Sequence, residues 1–343
     1  MKRLMVSLAA GLFTFVSGVA CAADVVEVPD SSASTGPALT PFSDWLVMAW
    51  AGEAGISSHP VWYSVFNGTS FTAQAQVRGA LTSTAPALAV AGGKLYLATT
   101  PPNENDRIYS YEATGLEFVS DGVPLCDEQT CARTRAAPAL LGVGTTLFAA
   151  WTSLNGEIMV AARTNGVWSI AAEPIPDAVT SPTTGPTLAL YENRIHLAWV
   201  GSEGEAIWAA VGTPAVSSAG VPPSSLVWSK PVEIPEATKV APALGALTLG
   251  SSPNNPGSSV LFLAWTTADS TIGFARWNPA NEQWTASQSP IPQPAGALTS
   301  EAVALASFTF SVSGECFRSN DTGFTGVHKP HRSDLMSVHT PCP

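Results

Sequence analysis

The residues of this chain with chemistry to offer are loop carboxylates, two histidines in its main body, four cysteines beyond residue 22, and a few aromatics. Glu53, Glu104, Asp106, Glu157, Glu203, Glu205 and Asp269 fall at comparable places of a repeated sequence unit. Glycoside hydrolysis needs two carboxyl groups positioned about one bond. Charges that recur unit by unit read instead as solvated loop positions. His59 and His196 are too few for a serine nucleophile with its base and orienting acid, and His196 lies inside the apolar run "RIHLAW". No catalytic residue is assigned. Trp62, Tyr109 and Trp208 recur on a short strand, with Met159 and Gly273 in the other copies. Sugar rings stack their apolar faces on such aromatics while loop amides and carboxylates bond the hydroxyls. These three are the candidate ligand-binding residues. The competing reading is that each fills the gap to the neighbouring unit.

Cys126 and Cys131 enclose only "DEQT", the spacing of a disulfide clip across one surface loop. Cys316 and Cys342 are then left to pair and tie down the C-terminus. A Cys/His metal site with His328, His331 or His339 is the alternative. Zinc motifs show two close ligand pairs, and Cys316 has no close cysteine, so no metal or other cofactor is expected.

These residues must be positioned by the repeat. A Pro followed by Ala-Leu or Thr-Leu occurs at Pro37, Pro86, Pro138, Pro186 and Pro242, and Val303 takes the Pro position in "EAVALASFTFSV". The spacings are 49, 52, 48, 56 and 61 residues. After each anchor comes an apolar run ending in "AW" ("LVMAW", "LFAAW", "IHLAW", "LFLAW"; "LYLATT" departs). A short strand and a turn leading to an aromatic follow ("NGTSFT", "TGLEFV", "NGVWSI", "SSLVWS", "NEQWTA"). Short β-branched and aromatic runs punctuated by Gly, Asn, Ser and Pro are strand and turn chemistry. Four such strands per unit of about 50 residues match one propeller blade. The near-continuous apolar "AW" strands are expected to be buried on both faces between blades. Trp50, Trp151, Trp199 and Trp265 hold one register and are assigned to that packing.

The fold class is therefore all-β, a propeller of four-stranded blades. "VVEVPDSSASTGPAL" after the leader matches "PVEIPEATKVAPAL", the end of one unit and the start of the next. The first residues should then supply a strand to the last blade, with Val25 to Val28 closing a ring of six and removing two free sheet edges. Five blades, with residues 301–343 outside the ring, is the alternative. The domain reading is 1–22 signal peptide, 23–314 propeller, and 315–343 an irregular Cys/His-containing tail, a degenerate last blade, or a frame-shifted end of one.

The leader has basic Lys2 and Arg3, an apolar run to about Val19, and small residues at Ala20 and Ala22. That is a secretory signal peptide cut after Ala22. Its run is shorter than the ~20 residues of a spanning helix. Lipid anchoring through Cys21 is a lesser alternative, because Gly18 stands where such sites usually carry Leu. The formal net charge is -11, and a surface poor in Lys and Arg excludes nucleic acid as a partner. No later segment is apolar enough to span a bilayer. A secreted or periplasmic protein is expected.

Over about residues 24–312 the unit "PAL…LYLAW…I-x-Y…NG-x-x-WS" resembles the β-propeller repeats of secreted bacterial sialidase-like and lectin-like proteins. "STAPALAVAGGKLYLATT" and "TTGPTLALYENRIHLAWVG" carry it best. It is similar to fucose-binding propeller lectins, in which sugars sit between blades. The resemblance implies a carbohydrate-binding propeller with weak, repeated inter-blade sites and glycans as partners. A protein-interaction scaffold meeting cell-surface proteins is a second reading, since one fold hosts many functions. A sialidase-like hydrolase is a third. It implies three arginines converging on a carboxylate. Arg78, Arg107, Arg133, Arg135, Arg163, Arg194 and Arg276 are the ring's arginines, and none lies in that family's early "RIP"-type motif. Its "S-x-D-x-G-x-x-W" box is not intact; "RTNGVWS" echoes only the end.

Overall fold

The computed structural model describes residues 4–6, 24–53, 59–102, 104–119, 121–171, 174–202, 205–214, 226–249, 258–287, 301–310, 319–325, 327–328, 334–335 and 337–339. All regular elements among them are strands. Five antiparallel sheets follow one another along the chain. Blade 1 comprises Ala38–Phe42, Trp45–Ala51, His59–Phe66 and Ala75–Thr82. Blade 2 comprises Ala87–Ala91, Lys94–Thr99, Tyr109–Glu112 and Val123–Pro124. Blade 3 comprises Ala139–Val143, Thr146–Thr152, Ile158–Thr164 and Val167–Ile170. Blade 4 comprises Thr187–Tyr191, Arg194–Val200, Ala206–Pro214 and Leu226–Trp228, and Val232–Ala237 also pairs with its third strand. Blade 5 comprises Ala243–Leu249, Ser258–Thr266, Ile272–Asn278 and Gln283–Ser287.

The sixth blade is built from both ends of the chain. Ala304–Phe310 pairs with Ser319–Thr325, which runs beside Ser337–His339. Ser337–His339 pairs in turn with Asp24–Val28, in the register Val25↔Val338. The N-terminal strand thus closes the last blade. Leu4–Val6 pairs on its other side, Leu4 with Val28. The expected cut after Ala22, Cys21, and the expected Cys316–Cys342 pair lie outside the described residues.

Tight turns follow from local residue choice. Gly92 and Gly93, Asn165 and Gly166, and Glu192 and Asn193 all have positive φ, the conformation of two-residue hairpins whose twist suits the flanking strands. The second strand of blades 1 to 5 is mostly apolar and is buried along its middle and toward its end; Leu46 to Ala51 are fully enclosed. Its alternate residues face opposite neighbours. Val47 and Ala49 face blade 2, while Leu46, Met48 and Trp50 pack with residues of blades 5 and 6. Trp50, Trp151, Trp199 and Trp265 are at most 3 % exposed, so they belong to inter-blade packing. Hydroxyls after two of them hold the segment entering the next blade: Thr152 Oγ1 donates to Thr184 O at 2.7 Å, and Thr266 Oγ1 to Glu301 O at 2.6 Å.

The leucine of every anchor, Leu39, Leu88, Leu140, Leu188, Leu244 and Leu305, lines one axial channel of about 290 Å³. Each blade contributes one, which makes the ring six-bladed. Apart from Thr40 the side chains lining that channel are apolar, and none is ionisable.

Candidate functional site

The three aromatics chosen from sequence stand opposite the end of the "AW" strand: Trp62 pairs with Trp50, Tyr109 with Thr99, and Trp208 with Trp199. Each is half-buried and each lies in a different gap. Trp62 packs on the cluster formed by blades 5, 6 and 1, Tyr109 on that of blades 1 and 2, Trp208 on that of blades 3 and 4. The fold therefore repeats them around the ring without bringing them together. Gly52 and Gly201 make room for the two indoles; a Cβ there would stand 2.5 Å and 2.7 Å from the Trp62 and Trp208 rings. The Tyr109 hydroxyl donates to Glu104 Oε2 at 3.1 Å, and partial burial together with that carboxylate raises its pKa.

Asp106 meets Arg135 at 3.3 Å and Glu205 meets Lys239 at 3.4 Å. Glu203 lies outside the described residues. Among the described residues no cluster of His, Cys, Asp and Glu has the arrangement of a metal site. Cys126 and Cys131 are disulfide-bonded, with Cα atoms 4.0 Å apart. Inside that clip Asp127 accepts from the amides of Gln129, Thr130 and, across the gap to blade 3, Ile170. Those amides hold its carboxyl below the usual range.

Two cavities, each lined by both polar and apolar side chains, lie between blades at the opposite end of the strands, beside the turns joining first to second and third to fourth strands. The cavity between blades 4 and 5, about 360 Å³, is lined by Arg194, His196, Trp228, Trp277, Glu282 and Trp284, among others. The Arg194 guanidinium donates to Glu282 Oε1 at 2.7 Å and ties the two blades together. The His196 ring stands edge-on to Trp277, with centroids 5.3 Å apart, and Trp277 is tilted against Trp284 at 5.4 Å. His196 is 2 % exposed. Burial, reinforced by the Arg194 charge, lowers its pKa to about 4, so the ring is neutral at ordinary pH. Its Nε2 and the Trp277 indole N–H are both buried without a hydrogen-bond partner.

The cavity between blades 2 and 3, about 300 Å³, is lined by Tyr96, Glu112, Arg163 and Trp168, among others, with Tyr96 at the His196 position and Trp168 at the Trp284 position. Arg163 donates to Glu112 at 3.4 Å across the gap and lies over the Tyr96 ring at 5.2 Å. Lys94 also binds Glu112, and its hydrogen bond is the main cause holding that carboxyl below its usual range. Tyr96 and His196 sit three residues before the end of the "AW" position, where the other blades carry Val47, Phe148 and Phe262. A polar ring in an otherwise apolar strand was the available sequence signal for both cavities. The aromatic count on the third strand pointed to the other end of the blades.

No family model matches the sequence, and no curated protein matches it. Solved structures match its fold. AofleA from Arthrobotrys oligospora superposes with a TM-score of 0.57 at 12 % identity, covering 98 % of this chain and 94 % of that one. SapL1 lectin, solved with alpha methyl fucoside, gives 0.54 at 13 % identity over 90 % and 96 %. Aleuria aurantia lectin, described as a six-bladed β-propeller with a novel fucose recognition mode, gives 0.53 at 12 % over 93 % and 96 %.

Proposed function

We propose that this chain is an exported carbohydrate-binding propeller that takes glycans in the gaps between its blades. The observation that carries the reading is the recurrence of a half-buried aromatic, Trp62, Tyr109 and Trp208, opposite the end of the "AW" strand in three different gaps. Apolar rings and polar hydroxyl partners on one rigid wall are what a pyranose needs. The fucose-specific lectins among its structural neighbours support the ligand class. Trp62, Tyr109 and Trp208 are proposed as stacking platforms at the loop end of the ring. Each shallow site should bind weakly, in the millimolar to micromolar range, about -4 to -8 kcal/mol. Several on one ring raise avidity on a glycan-coated surface. The signal-like leader and the Cys126–Cys131 bond support export. Removal of residues 1–22 on export takes Leu4–Val6 off the edge of the last blade, leaving Asp24–Val28 as its outer strand.

A glycan array probed with residues 23–343 tests the reading. Binding to terminal monosaccharide epitopes, lost on replacing Trp62, Tyr109 and Trp208 by Ala in a folded ring, is the expected result. An array without signal moves the protein to the scaffold reading, with cell-surface proteins as partners.

A further inference from the structure

We propose that Arg107 and Arg133, side by side on blade 2, form a site for a dianionic phosphate group, carried as a monoester or as the free ion. The inference does not rest on the carbohydrate reading. Two segments build the site. The turn 104–107 closes with Arg107 N on Glu104 O at 3.2 Å, and the chain leaving the Cys126–Cys131 clip runs back beside it. Ile108 N donates to Ala132 O at 3.1 Å, and Thr134 N to Asp106 O at 2.7 Å. Those two bonds flank the bridge Arg107↔Arg133. That is the non-hydrogen-bonded type of antiparallel pair, in which facing side chains stand closest, with Cβ atoms about 4.5–5.5 Å apart. Ile108, Ala132 and Thr134 are buried. By the two-residue alternation of extended chain the arginines lie on the other face, and Arg133 is exposed.

Like charges directly opposite each other destabilise a strand pair. Three other arginines of the ring are met by carboxylates: Arg135 by Asp106, Arg163 by Glu112 and Arg194 by Glu282. Among the described residues Arg107 and Arg133 have no carboxylate within 4.0 Å. The acidic groups nearby are already engaged. Asp106 binds Arg135, Glu104 accepts from the Tyr109 hydroxyl at 3.1 Å, and Asp127 accepts from three backbone amides. Arg133 Nε donates to Asn105 O at 2.7 Å, which fixes the guanidinium and leaves its two terminal nitrogens to take a ligand. Asn105 and Asp106, at φ 55° and 60°, hold the left-handed turn that offers this carbonyl, and theirs are residue types that tolerate it. A carboxylate has two oxygens, which one guanidinium fork covers. A phosphate monoester brings three acceptor oxygens and a charge of about -1.5 to -2 at neutral pH, the match for two guanidiniums.

The test is calorimetric titration of residues 23–343, near neutral pH, with sodium phosphate, glucose 6-phosphate, sodium glucuronate and glucose. Ionic strength is held constant, so that screening does not imitate binding. At least one of the two phosphates should saturate, with glucuronate at least 10-fold weaker and glucose silent. Tighter binding of glucose 6-phosphate supports the site with the ester as its ligand, and tighter binding of inorganic phosphate supports it with the free ion. Arg107→Gln and Arg133→Gln should each weaken the phosphate titration at least 10-fold. Arg133→Lys should weaken it 3-fold or more, because an ammonium keeps the charge without the fork. Arg276→Gln, which removes an exposed arginine of blade 5, should leave it unchanged. Saturating phosphate should raise the melting temperature of the parent and leave that of Arg107→Gln where it was. No saturation by either phosphate, glucuronate binding as tightly as phosphate, an equal loss in Arg276→Gln, or parent-like titration of folded Arg107→Gln and Arg133→Gln overturns the site. If one of those two variants does not fold, the titration of the other decides. A glycan array that stays silent beside an Arg107-dependent phosphate titration removes the carbohydrate reading and leaves this site standing.

Discussion

At the residue scale the buried His196 makes stability depend on pH. Its folded pKa of about 4 lies below the ordinary 6.5, so the folded state binds fewer protons than the unfolded chain. Its contribution is complete above pH 6.5, falls as pH drops through that value, and is gone below about 4. At about 1.4 kcal/mol per pH unit the loss reaches roughly 3 kcal/mol by pH 4. Urea unfolding of parent and His196→Phe at several pH values isolates it from the carboxylates, which both proteins share. The parent should lose more stability on acidification, and the variant should equal or exceed the parent at pH 7, since an unpaired buried polar atom costs about 1–3 kcal/mol. Parallel pH curves would refute this assignment. The four "AW" indoles behave differently. Trp151→Ala or Trp199→Ala should cost about 3–5 kcal/mol, because each fills an enclosed inter-blade volume. Tyr109→Ala, on a half-buried ring, should cost distinctly less in the same denaturant titration. The role of these indoles was legible from sequence because one residue type held one register. The cavities were not, because the three tryptophans of the blade 4/5 cavity come from three different strands of two blades.

At the element scale the strands were legible wherever local chemistry and period agreed. Positive-φ pairs such as Gly92–Gly93 and Asn165–Gly166 end strands where their sequence says they should. The outer strand of blade 2 shows the limit. Only Val123–Pro124 pairs there, since Pro124 offers no amide to continue a ladder. The Cys126–Cys131 clip takes over: Leu125 N bonds Ile108 O, and Ala132 N bonds Leu125 O, both at 2.8 Å, with Leu125 fully buried. The clip thus acts as a substitute edge, docked on blade 3 through Asp127. Loop closure across so short a span contributes about 2 kcal/mol. Replacing both cysteines by serine should lower unfolding free energy by that much or less and leave the ring assembled. Nonreduced peptide mapping should recover Cys126 linked to Cys131, and free thiols at both positions would remove the clip.

At the scale of the whole molecule the ring is held shut where its two ends meet, and that closure can be weakened without touching a binding gap. Sequence indicated the closure through the permuted match of the N-terminus to the end of a unit. It did not reveal how the tail completes the blade, because residues 319–325 and 337–339 lack the anchor and "AW" signatures and are placed only by long-range pairing. Val28 is fully buried beside Trp50, Phe262 and Leu305, and Trp50 Nε1 donates to Ser32 O at 3.1 Å. The N-terminal segment therefore packs on blade 1 and pairs into blade 6 at once. Burial of Val28 alone is worth about 1.5–3 kcal/mol. Gly36 marks the same junction, where a Cβ would stand 2.4 Å from the Ala302 carbonyl oxygen, a backbone atom that cannot swing aside. Gly185 makes the matching approach to Ala137 between blades 3 and 4. Deleting residues 24–30 should lower the melting temperature by at least about 6 °C, taking about 2 °C per kcal/mol for a chain of this size. Gly36→Ala should lower it too, by forcing blades 6 and 1 apart. A truncated chain that melts with the parent would mean that Asp24–Val28 contributes nothing to closure, and the latch would have to be sought in the pairing of Ala304–Phe310 with Ser319–Thr325 alone.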